Sequence, residues 1–530
     1  MVQFTLSTGA VGAFQPKSNK TQGYDSALMT GLNIMPQYTS DLHLNTATLS
    51  FNSVGTLVGW GLASFCMGPV VDYYGRKTGI IISILIKLIG ILLMTAAQNE
   101  PMFGVGRVIL GFGSATAAIA SSAWLAETLP MKVRGRGLSI IYTVYYVGAL
   151  ICSGVTYATQ SYNSSWCWRL PCALQSIFAV LCWFVLWFTP ESPRWLVKQG
   201  RFVEALHSLA SCHSNGDITD PTTLALHKDI VDSMEAELAA GKGVTYSEMF
   251  RTKNSRKRIT LVISSAVIAM MSGNNVIAYY LGTMLTAAGI TNVTTQLEIN
   301  IILNAWSFVC AIIGTLLMDK LGRKTLCLFA CSSMTVFLFV IGALTKGNCF
   351  RVFSSSGSSA YTIIEFGTDS TNISGIYGTV AAIFIFQGAY SVGITPLTQL
   401  YPPEVLNYSI RSNGMAVWTL ACSGFGIFSG FVPSFGLAAI GWKFYMINGC
   451  YDVLQVIYVA VYWVETKGLT LEEIDRVMDG KSPRIYDIEG INEAKSIDGV
   501  ELNDDAPGIR QRNHTDEKGA NVVVETKYEE

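Results

Sequence analysis

Gly68-Pro-Val-Val-Asp72-Tyr-Tyr-Gly75-Arg76-Lys77 is a charged box caught between two long apolar runs, 53–71 and 78–97. The second run carries a single cation, Lys87. A helix needs about 20 apolar residues to cross a bilayer. The box therefore reads as a very short loop between two membrane spans. Gly68 lets a neighbouring helix come close, and Gly75 can end the first helix in a left-handed turn. Asp72 and Arg76 are four apart, the spacing of an ion pair on one helix face. Arg76 and Lys77 place the loop on the cytoplasmic side, where short loops are rich in Lys and Arg.

The box returns as Asp319-Lys-Leu-Gly322-Arg323-Lys324, with Gly314 upstream, one position off the first copy. Two more elements recur in register. Glu127 to Arg134 and Glu404 to Arg411 share a seven-residue step. Pro190-Glu191-Ser-Pro193-Arg194 follows the sixth apolar run, and Glu465-Thr-Lys467-Gly468 follows the last. Each half thus supplies a D-x-x-G-R-K box, an E-x(6)-R step and a terminal glutamate. Recurrence of all three in order marks a duplicated bundle.

Composition points the same way. The chain has 530 residues, 50% hydrophobic and 14% charged, where soluble domains carry about 25% charged residues. That is the balance of a polytopic membrane protein. A net charge of −1 gives no electrostatic case for nucleic acid. The twelve cysteines fall mostly inside apolar runs without C-x-x-C spacing, and read as small core hydrophobes. No Gly-rich phosphate loop follows a predicted strand, and the five histidines do not cluster with cysteines or carboxylates. Neither an enzyme nor a bound cofactor or metal is expected.

Eleven clear spans are predicted at about 50–71, 78–97, 102–124, 137–159, 170–189, 259–286, 297–318, 325–344, 375–397, 413–435 and 442–464. A weaker first span makes twelve. Pro16, Lys17 and Lys20 interrupt it, so it reads as short, half outside the membrane, or wrong in the gene model. It lacks the basic start and clean apolar core of a cleaved signal peptide. The expected division is an atypical segment 1–22, a six-helix bundle 23–189, a cytoplasmic linker with short helices 190–258, a second bundle 259–465 and a tail 466–530. The tail is acidic and poor in aromatics, a composition expected to be disordered. Lys and Arg concentrate in alternate loops, at 75–77, 132–136, 194–201, 251–258 and 320–324, which puts those loops and both termini in the cytoplasm.

The repeated charges lie where helices would meet the cytoplasm. Arginine forks can bind carboxylates through two parallel hydrogen bonds. The residues so expected are Asp72, Arg76, Glu127, Arg134, Glu191 and Arg194 in the first half. Asp319, Arg323, Glu404, Arg411 and Glu465 are their counterparts. Partly buried and screened, such pairs suit a latch between the halves that breaks and re-forms in each cycle. The plainer alternative is that they only orient helices and cap their ends.

These motifs resemble those of the sugar porter family of the major facilitator superfamily, over 23–473. Gly23-Tyr-Asp-Ser-Ala-Leu-Met, His213 to Pro221 and Ser272 to Tyr280 resemble its fungal branch near lactose and cellobiose permeases. The resemblance implies an all-α membrane protein of twelve spans, two six-helix bundles related by a pseudo-two-fold axis around a central sugar site. Charges at membrane depth usually pair or serve transport. By resemblance Asp25 is the protonation site of a proton symporter and Arg107 its partner. The bland alternative is a permanent ion pair.

By the same resemblance Asn275 and Asn304 contact the sugar, and Tyr279 and Tyr280 close over it. An amide offers both donors and an acceptor to sugar hydroxyls. The family's glutamine before this motif is Met270 here, its Asn-Trp pair in span eleven is Cys422-Ser423, and its span-five glutamine falls at Ser153. The expectation is import of a sugar, a disaccharide such as lactose or cellobiose, by proton symport across the plasma membrane. A facilitative hexose carrier, a non-transporting sugar sensor and a decayed transporter are the alternatives. The partners expected are the sugar, protons and the lipid bilayer.

Overall fold

The computed structural model describes residues 23–128, 131–214, 216–239, 250–347, 373–406, 410–467 and 474. Residues 1–22 and most of the tail expected at 466–530 lie outside them. In the first half, α1 spans 23–34, α2 Pro36–Asp41, α3 Thr46–Tyr74 and α4 Arg76–Thr95. α5 (Glu100–Thr128), α6 (Met131–Thr159) and α7 (Trp166–Leu186) complete it. Three short helices follow: α8 (Pro193–Lys198), α9 (Phe202–His213) and α10 (Pro221–Ala239). The second half holds α11 (Lys253–Met271), α12 (Asn274–Ala287), α13 (Val293–Leu321) and α14 (Arg323–Gly347). It closes with α15 (Ile373–Val405), α16 (Arg411–Ile440) and α17 (Lys443–Tyr462).

Ten of these segments are long and apolar enough to cross a bilayer, α11 and α12 counting as one broken span. With α1 and α6 they make the twelve spans of a major facilitator fold. Within the halves α4 packs on α5 and α7, and α14 packs on α15 and α17. Between the halves α3 meets α16, and α6 meets α13.

One expectation about spans is corrected. The first span is a helix of twelve described residues, 23–34, shorter than the ten span-length helices, and the residues expected to interrupt it lie outside the described ones. Tyr24, Leu28, Met29 and Leu32 are at most 1% exposed, and the Tyr24 hydroxyl donates to Pro171 O at 3.0 Å. The tenth span, expected to end at 397, runs on through Pro402 and Pro403 to Val405. That extension carries Glu404 to Arg323.

The Gly-Arg-Lys boxes are helix-to-helix turns of a single residue. Gly75 ends α3 with φ 98° and ψ 160°, and Arg76 begins α4. Gly322 ends α13 with φ 95° and ψ 162°. This corner of backbone space is essentially open to glycine alone. The missing Cβ also makes room. On Gly75 it would lie 2.8 Å from Glu191 Oε2, and on Gly322 2.6 Å from Glu465 Oε2.

Candidate functional site: a central cavity and two charged helix ends

A cavity of about 270 Å³ lies between the halves. Asp25, Asn275, Asn304 and Tyr279, all singled out from sequence, line it. Asn275 sits just past the break between α11 and α12, where Gly273 takes φ +82°. Its amide donates to Met270 O at 3.2 Å and to Ser429 Oγ at 2.6 Å. The Asn304 amide donates across the halves to Ser153 Oγ at 2.9 Å, and to Asn300 O and Oδ1 at 2.9 and 3.1 Å. The two amides thus face one space from different helices, with acceptors of this chain standing where hydroxyls would go.

Tyr280 is not part of that lining. It holds the one non-helical residue inside α12, at φ −121° and ψ 24°, and its hydroxyl donates to Gly430 O at 2.7 Å. It faces a second cavity of about 640 Å³, beside Asn33, Gln296 and Ser434. The kink turns neighbouring tyrosines to different spaces, so only Tyr279 borders the central one.

Asp25 and Arg107 are both buried, at 4% and 0% exposure. Their expected charge pairing is corrected by the geometry. Arg107 donates to the Asp25 backbone carbonyl at 3.2 Å, to Asn52 O at 3.1 Å and to Thr56 Oγ1 at 3.5 Å. The Asp25 carboxylate instead faces Lys87 Nζ at 3.7 Å and accepts from Ser114 Oγ at 3.4 Å. Its Oδ1 has no hydrogen-bond partner among the described residues. Arg107 braces the backbone of α1 against α3, and Lys87 is the counter-charge nearest the carboxylate, with Arg107 beside it.

The sequence carried a signal for Lys87, a lone cation in an apolar run, and such charges at membrane depth are functional by default. Asn300 was findable as Asn304 minus one helical turn. Gln387, Tyr145 and the indoles of Trp60 and Trp418 also line the cavity; nothing in their spacing set them apart from helix packing. Cys422 and Ser423 line it where the resemblance set an Asn-Trp pair.

At the box end, each half carries the same cluster. Arg76 forks onto Glu127, Nε to Oε2 at 3.1 Å and Nη2 to Oε1 at 3.0 Å. Arg323 forks onto Glu404 at 3.3 and 3.1 Å. Ser192 donates to Glu127 Oε2, as Thr466 does to Glu404 Oε2. Glu191 accepts the Lys77 backbone N–H at 3.1 Å through both oxygens. Glu465 accepts the N–H groups of Arg323 and Lys324 at 2.8 and 3.0 Å. Both glutamates therefore cap a helix start, where unpaired N–H groups and the helix dipole favour an anion. Burial pushes the Glu191 carboxyl above the usual range, and the N–H donors of Ser192 and Lys77 pull it back.

All these contacts stay inside one half. The latch between halves is not what the described ion pairs make, because the glutamate after the sixth or twelfth span folds back on its own bundle. Asp72 lies 3.1 Å from Arg76 but is 60% exposed, and such a pair is worth little. Arg194 is exposed and makes no ion pair among the described residues. The side chains of Arg134, Asp319 and Arg411 lie outside the described residues.

The described hydrogen bonds that do cross between halves run from mid-height to the opposite end. Tyr146 meets Ser391 and Thr395 at 2.9 and 3.2 Å. Asn33 donates to Tyr279 O at 2.9 Å, Ser50 meets Ser434, and Tyr157 donates to Glu298 at 3.2 Å.

Over residues 6–478 the chain matches the family described as sugar (and other) transporter. It belongs to that family. It is a multi-pass membrane transporter and not an enzyme. The hexose transporter HXT10 of Saccharomyces cerevisiae is 28% identical over 80% of this chain and 74% of its own. The MFS glucose transporter mfs1 of Aspergillus flavus is 27% identical over 87% and 88%. Among solved structures, the partially occluded inward-open xylose transporter XylE from E. coli has a TM-score of 0.69 at 19% identity. It covers 87% of this chain and 99% of its own. The proton:xylose symporter XylE bound to 6-bromo-6-deoxy-D-glucose gives 0.68 at 20%, over 89% and 99%. These relatives bear hexose and glucose names, so they lend no support to the disaccharide expectation.

Proposed function

We propose that this protein is a carrier of a hexose-class monosaccharide, coupled to protons by alternating access. The observation that carries the reading is that Asp25 lines the same cavity as Asn275 and Asn304. A proton and a sugar bound in one space can each change the other's affinity. The sugar site is Asn275, Asn304 and Tyr279, with Gln387 beside them. A cavity of about 270 Å³ falls just below the usual range for ligand sites, which favours one sugar ring over two. The names of the fungal relatives support the hexose class, and the likeness to a bacterial proton:xylose symporter supports proton coupling.

Protonation of Asp25 removes its attraction for Lys87 and lets the loaded halves rock. The box end is cytoplasmic, as its Lys and Arg content implies, and the membrane is the plasma membrane. Residues 23–189 and 259–465 move as the two bundles, with 190–258 as the linker. The clusters at the box end clip each bundle to itself. A second reading is facilitated diffusion, favoured by the Asp25–Lys87 pair being a standing one at 3.7 Å.

Uptake of labelled glucose, xylose and lactose into transporter-null cells, with external pH recorded, tests this. Hexose uptake with alkalinisation is expected. Uptake without a pH change selects facilitation, and signalling without uptake selects a sensor. Lactose uptake alone restores the disaccharide.

A further inference from the structure

α17 is apolar over most of its length, yet it carries Asn448, Asp452 and Gln455. Their i, i+4, i+7 spacing puts all three on one helical face. Asp452 is 1% exposed, and neither carboxylate oxygen has a hydrogen-bond partner among the described residues. Asp25 has a lysine at 3.7 Å; Asp452 makes no ion pair among the described residues.

The groups facing it are polar or apolar. On its own helix Tyr451 lies alongside. α14 packs Phe339 against Gly449, one turn away, and Met446 against Gly342. Away from the ends of α14 and α16, the titratable groups are the thiols Cys327, Cys331 and Cys422. On α15 they are tyrosines 377, 390 and 401. The charges of these elements with described side chains — Arg323, Lys324, Glu404 and the basic start of α11 — sit at helix ends. A lone ionised carboxylate cannot be left so buried; it binds a proton or takes a cation.

Donors for the ionised form are nevertheless waiting. Asn448 Nδ2 and Gln455 Nε2, on either side of Asp452, are buried and make no hydrogen bond of good geometry among the described residues; the Tyr451 hydroxyl stands beside Gln455. Both side chains also touch the break between α11 and α12. Gln455 Oε1 accepts from Ser272 Oγ at 3.0 Å. Asn448 Nδ2 sits 2.5 Å from where a Cβ on Gly273 would be. The next residues, Asn274 and Asn275, line the central cavity.

We propose that Asp452 is a second proton-binding carboxyl, which toggles the α11–α12 break and so the aim of Asn275. Protonated, it leaves Gln455 on Ser272 and Asn448 against Gly273, as here. When the proton leaves to water, the carboxylate draws in the two amides, and both release the break. The transport-linked part rests on the carrier reading but not on Asp25.

The test uses purified full-length protein with D-glucose and D-xylose as probes, binding measured by calorimetry in buffers of different ionisation enthalpy. In the Asp25→Asn background, affinity is expected to fall by up to about tenfold per pH unit on the alkaline side, with one proton linked. Adding Asp452→Asn should abolish that slope, and Asp452→Glu should restore one. Gln455→Leu removes one waiting donor and should move the midpoint to higher pH. An unchanged slope in Asp25→Asn/Asp452→Asn, or a flat Asp25→Asn profile, overturns the proposal. So does a sodium dependence that Asp452→Asn removes, which would make the group a cation ligand. If the wild type binds no sugar at any pH, the carrier reading fails instead. The protonated carboxyl is then read by its infrared C=O stretch, expected in the wild type and lost in Asp452→Asn; its presence in both overturns the site.

Discussion

At the box end of the first half Arg76 holds Glu127 at 3.0 and 3.1 Å, and in the second half Arg323 holds Glu404 at 3.1 and 3.3 Å. Glycine turns of nearly equal φ and ψ stand beside each. Mid-membrane the correspondence fails. The first half pairs a buried acid with Lys87 and Ser114, while the second leaves Asp452 unpaired beside two amides. Duplication has kept what holds each bundle together and let the polar interior diverge. The ends answer to backbone geometry, which both copies share. The interiors answer to what is carried, which is handled once.

The sharpest way to break this contrast is Asp25→Asn. Against a pH gradient of one unit, one-proton coupling supports about tenfold accumulation of sugar. The variant should bring labelled-sugar accumulation to about one, with exchange retained. Accumulation that survives removes Asp25 from the coupling.

Next in size is Lys87→Met. Removing one partner of a buried pair strands the other, at a cost of about 3–5 kcal/mol. Thermal unfolding in detergent should show that loss, and Asp25→Asn/Lys87→Met should recover most of it. No recovery in the double variant would mean that the two charges do not meet.

Gly75→Ala and Gly322→Ala sharpen the likeness of the ends. Each forces a side chain into a glycine-only conformation costing about 1–3 kcal/mol, and pushes a glutamate off its helix start. The two should lose stability by similar amounts. If only one does, the equivalence of the ends is superficial.

Arg194→Ala is the smallest effect. The side chain is exposed and unpaired among the described residues, so stability should stay within about 0.5 kcal/mol of the wild type. Transport should be unchanged, whereas Arg76→Ala should impair it.

Much of this architecture is readable in the sequence alone. The boxes stand out because two copies of Asp-x-x-Gly-Arg-Lys bracket apolar runs of bilayer length, and that fixes the count and pairing of spans. Asn275 and Asn304 are readable as amides in apolar surroundings. What cannot be read is who meets whom. Spacing along a chain does not say that Glu191 returns to the start of α4 and not to the other bundle. Lys87 is ambiguous in sequence, since one lysine in an apolar run also fits a side chain reaching for the interface. Asp452 lies in plain view on a polar stripe, hidden by the hydrophobicity of the residues around it.

Glu191 and Glu465 each seat the last strut of a bundle on the hairpin of its second and third spans, as a hoop closes a cask. A bundle so hooped tilts as a unit and resists splaying. The first fastening lies directly before α8, and the second directly before Thr466, which donates to Glu404. A pull along α8 would therefore act on Glu191 first and, in the proposed carrier, be felt as rotation of a whole block.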